Sequence, residues 1–140
     1  MSEQTTLTVR NDLSELERLG ELIDAFGARN GLPAKAVFEL KVAVDEVVTN
    51  VISYAYDDGG EHEIVVRLSL DAGELSIEVE DDGQPFNPLA AAEPDVDQPV
   101  EDRPIGGLGI HLARKLTDRL EYRRQGNKNV LVMRKTARSM

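Results

Sequence analysis

Apolar and polar residues alternate with two different periods along the chain, and each change of period marks a predicted element. From Thr5 to Arg10 the alternation runs every second residue, as in a half-buried strand. From Asn11 to Gly31 the apolar residues recur at helical spacing. This spacing predicts a helix that Asn11 or Asp12 caps, that Asn30-Gly31 ends, and whose buried face carries Leu13, Leu16, Leu19 or Leu22, Ile23 and Phe26.

The rest of the chain continues with one more helix and then pairs of strands. Pro33 suits the first turn of a helix that runs to about Tyr56, and Asp58-Gly59-Gly60 indicates a turn after it. Two tightly joined strands, an irregular proline-rich segment, a segment that is glycine-rich and then helical, and a last strand pair around Gly126-Asn127 follow. Their predicted ranges are 63–71, 74–81, 83–105, 106–120, 120–125 and 129–135.

The order of these elements, β-α-α-β-β-loop-α-β-β, predicts an α+β fold. Grouped helices and paired strands are typical of a two-layer α/β sandwich, in which helices cover one face of a mixed, mostly antiparallel sheet. The length of 140 residues predicts a single domain over residues 1–140. An irregular segment of this length is uncommon in a compact domain unless it is a functional lid or disordered.

Composition and charge narrow the function classes. Cysteine is absent, which excludes disulfides and thiolate metal sites. The net charge of −10 disfavours direct binding to nucleic-acid phosphates and favours a cation-assisted ligand or a basic protein partner. No apolar run approaches the ~18 residues of a membrane span, and the N-terminus lacks the apolar region of a signal peptide. We therefore expect a cytoplasmic protein that does not bind membranes.

Two polar features interrupt this ordinary pattern. Glu46 and Asn50 lie one helical turn apart in the apolar second helix, so they share a face. An amide oxygen suits Mg²⁺, and a neighbouring carboxylate can orient or deprotonate a hydroxyl or water. Asp81-Asp82-Gly83 stands at a strand end, where Asp81 could accept a hydrogen bond from an adenine amino group and Gly83 could leave room for the base. Taken singly, Glu46 and Asn50 are more typical of a polar stripe on a half-exposed helix, and Asp81-Asp82-Gly83 is more typical of a turn.

A third feature is the glycine cluster that precedes the last predicted helix. Gly106, Gly107 and Gly109 allow close approach of the backbone to a ligand, and a helix N-terminus offers free N–H groups to phosphate oxygens. No Gly-Lys-Ser/Thr follows, so the cluster is not a Walker loop. Alone, such a cluster is more typical of a flexible hinge or a glycine-rich turn than of a phosphate site.

Taken together, the three features resemble the motifs of the GHKL nucleotide-binding superfamily, whose Bergerat fold is shared by gyrase, MutL, histidine-kinase catalytic domains and anti-sigma kinases. The N-box resembles DEVVTN, the first glycine box DDG and the second GGLGI, and the final strand resembles GNKNVLVMRK. The resemblance covers nearly the whole chain. The stretches EVVTNVISYAY, DDGQPFNP and GGLGIHLARKLTD are most similar to bacterial anti-sigma regulatory factors that are serine-protein kinases.

The resemblance implies a Bergerat-type fold, an ATP lid over residues 84–105, ATP and Mg²⁺ as cofactors, and a role for each site residue. Glu46 would position or activate the nucleophile, and Asn50 would coordinate Mg²⁺ and bind ATP. Asn127 or Asn129 would border the base, and Arg103 or Arg114 would be the nearest cation to the phosphates. The remaining ATP-binding positions would be Asp81, Gly83, Gly106, Gly107, Leu108 and Gly109.

The resemblance also implies partners. The protein would phosphorylate a serine of an anti-anti-sigma (STAS-type) protein, sequester a sigma factor and form a homodimer. An alternative is an ATP-gated binding protein with little phosphoryl transfer. The intact Glu46 favours the kinase.

Overall fold

A computed structural model describes residues 2–56, 58–85, 87 and 105–136. The predicted order of elements is confirmed. The eight elements are β1 (Ser2–Arg10), α1 (Glu15–Arg29), α2 (Ala34–Tyr54), β2 (Glu63–Asp71), β3 (Glu74–Asp81), α3 (Ile105–Leu116), β4 (Arg119–Gln125) and β5 (Lys128–Thr136). Most of the predicted lid lies outside the described residues.

The five strands form one sheet in the order β1-β2-β3-β5-β4, and each neighbouring pair is antiparallel. This confirms the α+β prediction. The connection from β2 to β3 is a two-residue turn in which Ala72 and Gly73 both have positive φ, as a tight hairpin requires. β5 follows β4 through Gly126-Asn127, but it inserts between β3 and β4, so it brings late residues beside Asp81.

Every second residue of the central strands points into an aliphatic core beneath the helices. The inward residues of β2 and β3 are almost fully buried, and α1 and α2 bury their own apolar faces in the same cluster. Burial of aliphatic surface is the main driving force for such packing. The core includes Leu19, Ile23, Phe26, Leu40, Val44, Val47, Val48, Ile64, Val66, Leu68, Leu75, Ile77, Val79, Leu131 and Met133.

The outward face of the sheet carries charged side chains beside the buried Val130 and Val132 of β5. Arg67 lies 3.4 Å from Glu78, and Arg123 of β4 donates to Glu78 at 2.9 Å. Such partly exposed pairs contribute little stability. Arg123 faces outward in β4, whereas its neighbour Arg124 faces the core side. The two arginines therefore have different surroundings.

The α3 helix is fastened to the rest of the domain at its C-terminal end. Lys135 of β5 is 8% exposed, donates to the carbonyl of Leu116 at 2.8 Å, and lies 3.4 Å from Glu39 of α2. Ala113 is fully buried in the core. A cation near the last carbonyls of a helix is favourable because it satisfies an acceptor that has no partner within the helix.

The predicted start of α1 was wrong. α1 begins at Glu15 after Ser14, not at Asn11 or Asp12. Asp12 accepts from the N–H of Ser14 at 2.9 Å and so shapes the turn before the helix. Leu13 precedes α1 and is 55% exposed, so its predicted place on the buried face was wrong.

Three other boundaries also differ from the prediction. β1 starts earlier than predicted, at Ser2, because its whole length pairs with β2. Pro33 is the N-cap residue of α2 and not part of its first turn. The last helix ends at Leu116, not at residue 120, because Arg119 and Leu120 pair with β5. Within the described ranges, no helix is both long and apolar enough to cross a bilayer.

Candidate functional site

The polar edge of α2 is built from two side chains on one face. Val47, Val48 and Val51 bury the opposite faces of the same turns in the core. Asn50 is only 4% exposed, and its Nδ2 donates to the backbone carbonyl of Glu46 at 2.9 Å. This bond fixes the orientation of the amide, so its oxygen points away from the helix backbone. Asn50 Oδ1 is buried and has no hydrogen-bond partner among the described residues.

Glu46 lies one turn earlier and faces α3. Burial raises the pKa of Glu46 to about 7, although the backbone N–H groups of Ala113 and Leu112 act in the opposite direction. Neither N–H forms a hydrogen bond to Oε1, which is buried and unpartnered in the part of the chain that the structure describes. A carboxyl with a pKa near neutrality can accept a proton at physiological pH and release it again.

These two orphan oxygens fit a magnesium-dependent nucleotide site. A buried acceptor without a partner costs about 1–3 kcal/mol, so two of them on one helix face require an explanation. Mg²⁺ commonly takes one or two protein oxygens and completes its shell with phosphates and water. No group of three metal-binding side chains occurs among the described residues. The amide oxygen of Asn50 therefore fits a metal that arrives with phosphate ligands.

Asp81 ends β3 at the other side of the candidate site. Its side chain is 3% exposed, and Oδ1 accepts from the N–H of Gly83 and from Nδ2 of Asn129, each at 2.9 Å. Burial raises the pKa of Asp81, while these two hydrogen bonds act to lower it. Both bonds go to Oδ1, so Oδ2 is the carboxylate atom that a ligand donor would approach.

A small cavity separates Asp81 from α2. Its volume is about 10 Å³, which is room for about one water. A purine base is larger, so the cavity must widen before it can receive one. The lining is apolar on the α2 side and polar at the ends of the strands: Val47, Val51, Val79, Asp81, Tyr122, Asn129 and Leu131.

Gly83 follows Asp81 at a point where two backbones nearly touch. A Cβ at Gly83 would lie 2.4 Å from the carbonyl oxygen of Ala55, at the end of α2. The N–H of Gln84 donates to that same carbonyl at 2.9 Å. Close packing against Ala55 therefore explains why glycine occupies position 83. Its predicted contact with a base stays a prediction.

The predicted phosphate-binding glycines are arranged differently from the prediction. Gly106, Gly107 and Gly109 lie inside α3, which begins at Ile105, and do not precede it. Gly106, Gly107 and Leu108 thus fall in its first turn, where backbone N–H groups have no partner within the helix. Their binding to phosphates stays a prediction. Arg103 lies outside the described residues, whereas Arg114 lies in α3.

Sequence reasoning missed Tyr122 and Arg124, two polar side chains that meet Asn129 beside Asp81. Tyr122 donates to Asn129 Oδ1 at 2.6 Å, and Arg124 Nη1 reaches the same oxygen at 3.2 Å. Arg124 also donates to the carbonyl of Gly83 at 2.9 Å. A signal was present, because Asn129 is in phase with Leu131 and Met133 and is therefore a polar residue on the inward face of a strand.

A second cluster lies on the outer side of Asp82. His62 stacks on Tyr56 with ring centroids 4.2 Å apart, and its ring nitrogens lie 2.9 Å from Asp58 and 3.5 Å from Asp82. The hydrogen bond with Asp58 raises the pKa of His62. This cluster ties the start of β2 to the end of β3.

Comparisons with known proteins identify relatives of this chain. The histidine kinase-like ATPase domain matches residues 9–135. The serine-protein kinase RsbW of Halalkalibacterium halodurans is 31% identical over 124 residues, which are 86% of this chain and 74% of the relative. The serine/threonine-protein kinase BtrW of Bordetella bronchiseptica is 27% identical over 111 residues, which are 79% of this chain and 78% of the relative.

Solved structures share the fold. The RsbU and RsbW domains of Rv1364c from Mycobacterium tuberculosis match 96% of this chain with a TM-score of 0.68 at 15% identity, and this chain spans 32% of that one. A blue-light activated histidine kinase of Erythrobacter litoralis matches 85% of this chain, with a TM-score of 0.58 at 20% identity, and this chain spans 40% of it.

The sequence match extends over both sides of the site. It includes the polar edge of α2, the end of β3 and the inserted strand β5. The predicted resemblance is thereby confirmed. The chain belongs to the histidine kinase-like ATPase family, and among its relatives are proteins named serine-protein kinases.

Proposed function

We propose that this protein is an ATP-dependent serine-protein kinase that phosphorylates an anti-anti-sigma (STAS-type) protein and, in its other state, sequesters a sigma factor. One observation carries the proposal: Glu46 Oε1 and Asn50 Oδ1 are buried acceptors without a partner among the described residues, one helical turn apart. The names of the relatives, serine-protein kinases, support the same reaction. The anti-sigma role rests on the resemblance of the sequence motifs.

Each side chain has a separate task in the proposed reaction. Asn50 Oδ1 would hold Mg²⁺, which when bound neutralises phosphate charge. Glu46 would orient the serine hydroxyl of the partner and take its proton as the serine oxygen forms a bond to the γ-phosphorus and ADP leaves. Phosphoryl transfer depends mainly on such positioning and on charge stabilisation. The pKa of about 7 lets Glu46 accept a proton near neutral pH.

The nucleotide would be selected at the opposite end of the site. Asp81 would accept a hydrogen bond from the amino group of adenine, with Gly83 beside the base. The N-terminal turn of α3, with Gly106, Gly107, Leu108 and Gly109, would bind phosphates. We further propose a cytoplasmic homodimer that does not bind nucleic acid or membranes.

The kinase is tested by incubating the protein with γ-labelled ATP, Mg²⁺ and the candidate anti-anti-sigma protein encoded beside its gene. Label should appear on serine. Glu46→Gln keeps the size and loses the base, so transfer should fall by ~10²–10⁴-fold while ATP affinity stays nearly unchanged. Asn50→Ala removes the proposed Mg²⁺ ligand and should weaken both nucleotide binding and transfer.

Asp45→Asn is the matched control, because Asp45 precedes Glu46 on α2 but is exposed to solvent. It should transfer phosphate like the unmodified protein. Undiminished transfer by Glu46→Gln would show that Glu46 is only structural. If no transfer occurs but a partner binds in an ATP-dependent way, the ATP-gated binding protein is the correct function.

A further inference from the structure

We propose that Tyr122 and Arg124 of β4 are positioning residues for nucleotide binding, which act through Asn129 to hold Asp81 as a hydrogen-bond acceptor and so favour adenine over guanine. The inference rests on the proposed function, because it assumes that Asp81 contacts the base. Neither side chain needs to touch the nucleotide. Both belong to β4, which lies between the second glycine box and the final strand motif in the sequence and reaches Asp81 only through its pairing with β5.

The first step is the orientation of the Asn129 amide. The two ends of an amide have nearly the same shape, so its neighbours decide which end points where. Tyr122 and Arg124 both donate to Asn129 Oδ1, at 2.6 and 3.2 Å. The opposite end, Nδ2, then donates to Asp81 Oδ1 at 2.9 Å. A rotated amide would place its oxygen against the carboxylate and would remove this donor.

The second step is the backbone that follows Asp81. Asn129 Nδ2 also donates to the carbonyl of Gln84 at 2.8 Å, and Arg124 Nη1 donates to that of Gly83 at 2.9 Å. Gln84 is held from α2 as well, through its own N–H and the carbonyl of Ala55. The turn after Asp81 is therefore fastened from both layers of the fold, and the same two side chains fix the carboxylate and the turn.

The third step is the charge state of Asp81. A deprotonated Asp81 accepts from an adenine amino group, whereas a protonated one presents a donor. Burial raises its pKa, and the hydrogen bonds from Asn129 and Gly83 oppose this rise. Without the donor from Asn129, the pKa of Asp81 should rise further, and nucleotide binding should weaken at a higher pH than in the unmodified protein.

Other titratable groups also face Asp81 and enter the same balance. Arg124 from β4 lowers the pKa of Asp81, whereas Asp82 beside it raises that pKa. Tyr56 at the end of α2 interacts with Asp81, and burial raises the pKa of Tyr56, so it stays neutral over the range of interest. Tyr122 contributes through Asn129. Removal of the Tyr122 hydroxyl leaves every one of these charges in place. It therefore tests the orientation of Asn129 more directly than the loss of the Arg124 charge does.

The experiment measures the affinities of ADP, Mg-ATP and Mg-GTP by calorimetry between about pH 5.5 and 8.5. Tyr122→Phe keeps the ring and loses one donor, so a few-fold loss of affinity for adenine nucleotides is expected. Arg124→Gln loses contacts to the amide and the turn, and about a 10-fold loss is expected, the size of a charge-assisted hydrogen bond. Both variants should narrow the preference for ATP over GTP and move the acid limb of ADP binding to higher pH.

Two controls isolate the mechanism. Arg123→Gln removes the same charge from the residue before Arg124, which lies on the outward face of β4. This variant should bind nucleotide normally. In an Asn129→Ala background, Tyr122→Phe should have no further effect, because its action passes through Asn129. The carboxyl pKa of Asp81, measured by NMR without nucleotide, should be higher in Tyr122→Phe than in the unmodified protein.

The outcomes separate this inference from the proposed function. Failure of the unmodified protein to bind adenine nucleotides would overturn both. Normal binding, with unchanged affinities and pH profiles in Tyr122→Phe and Arg124→Gln, would overturn the inference alone. Equal effects of Tyr122→Phe with and without Asn129 would show that Tyr122 acts through packing, which also overturns it.

Discussion

At the scale of single residues, the site holds polar groups where the fold alone favours apolar ones. Glu46 is half-buried with a pKa of about 7, and Asn50 is buried with an oxygen that has no partner among the described residues. Both therefore lower the stability of the protein without nucleotide. Such a conflict between local stability and retained chemistry is expected at a functional site.

The first prediction is that Glu46→Gln changes the pH dependence of stability. Folding raises the pKa of Glu46 from 4.5 to about 7, so the fold favours its neutral form. The stability from this group is present below pH 4.5 and is lost as the pH rises through 7. Without nucleotide, the Glu46→Gln protein should lose less stability between these pH values than the unmodified protein. Above pH 7 it should be the more stable of the two. Urea unfolding measures both stabilities.

The control for this measurement is Glu17→Gln, which removes one negative charge from the exposed side of α1. It corrects for the change in net charge of a chain that already carries −10. A Glu46→Gln protein that follows the control at every pH would contradict the raised pKa. A variant with better stability and impaired transfer would show that Glu46 is kept for chemistry.

At the scale of elements, the position of α2 depends on close packing with its neighbours. A Cβ on Gly27 of α1 would lie 2.4 Å from Cγ2 of Val37 in α2, so only glycine allows this approach of the two helices. Gly20 lies earlier in the same helix. A Cβ there would lie 3.4 Å from Cε of Lys41, the flexible part of a long side chain. Two glycines in one helix thus have different roles.

We predict that Gly27→Ala and Gly20→Ala change stability in opposite directions. Gly27→Ala should destabilise the protein by roughly 1–3 kcal/mol, because a β-branched side chain must move. Gly20→Ala should stabilise it by up to about 1 kcal/mol, through helix propensity. Urea unfolding of both variants gives the test. Equal effects would show that the α1–α2 contact has no special need for glycine.

At the scale of the whole molecule, the acidic charge sets a requirement for the ligand. A chain with a net charge of −10 repels a bare triphosphate over several ångströms of solvent. The described residues contain no preformed cluster of three metal-binding side chains. Mg²⁺ bound to the nucleotide would remove most of the repulsion and would use Asn50 as a protein ligand.

The corresponding prediction concerns removal of the metal. With Mg²⁺ and ATP at ~100 times Kd, thermal stability should rise by the equivalent of about 2.7 kcal/mol. Chelation by EDTA should remove most of this gain, while the smaller effect of adenosine, which has no phosphate, should remain. Calorimetry with each ligand supplies the comparison. A full ATP effect in EDTA would contradict the role of Mg²⁺ and the assignment of Asn50 as its ligand.

The alternation of apolar residues predicted each element because it is a local property of the chain. Period-two segments became strands, and segments with helical spacing became helices. Boundaries were less certain where capping decides them: Ser14 and not Asp12 precedes α1. The glycines expected before the last helix belong to it, because Ile105 already has helical geometry.

The sequence by itself determined the two halves of the site that lie on motifs. Glu46 and Asn50 share a helix face by spacing alone, whereas Asp81 was singled out through the resemblance of DDG to a family motif. The tertiary structure decided what surrounds them. It set the burial that raises the pKa of Glu46, since desolvation depends on how α3 packs against α2.

The tertiary structure decided which contacts join Asp81 to the last hairpin. β5 inserts between β3 and β4, so Asn129 pairs with Asp81 although 48 positions separate them. Tyr122 and Arg124 then reach the same point from the edge strand. Sequence periodicity shows which side of a strand a residue faces, but the order of strands depends on long-range packing. That order decides which polar groups meet.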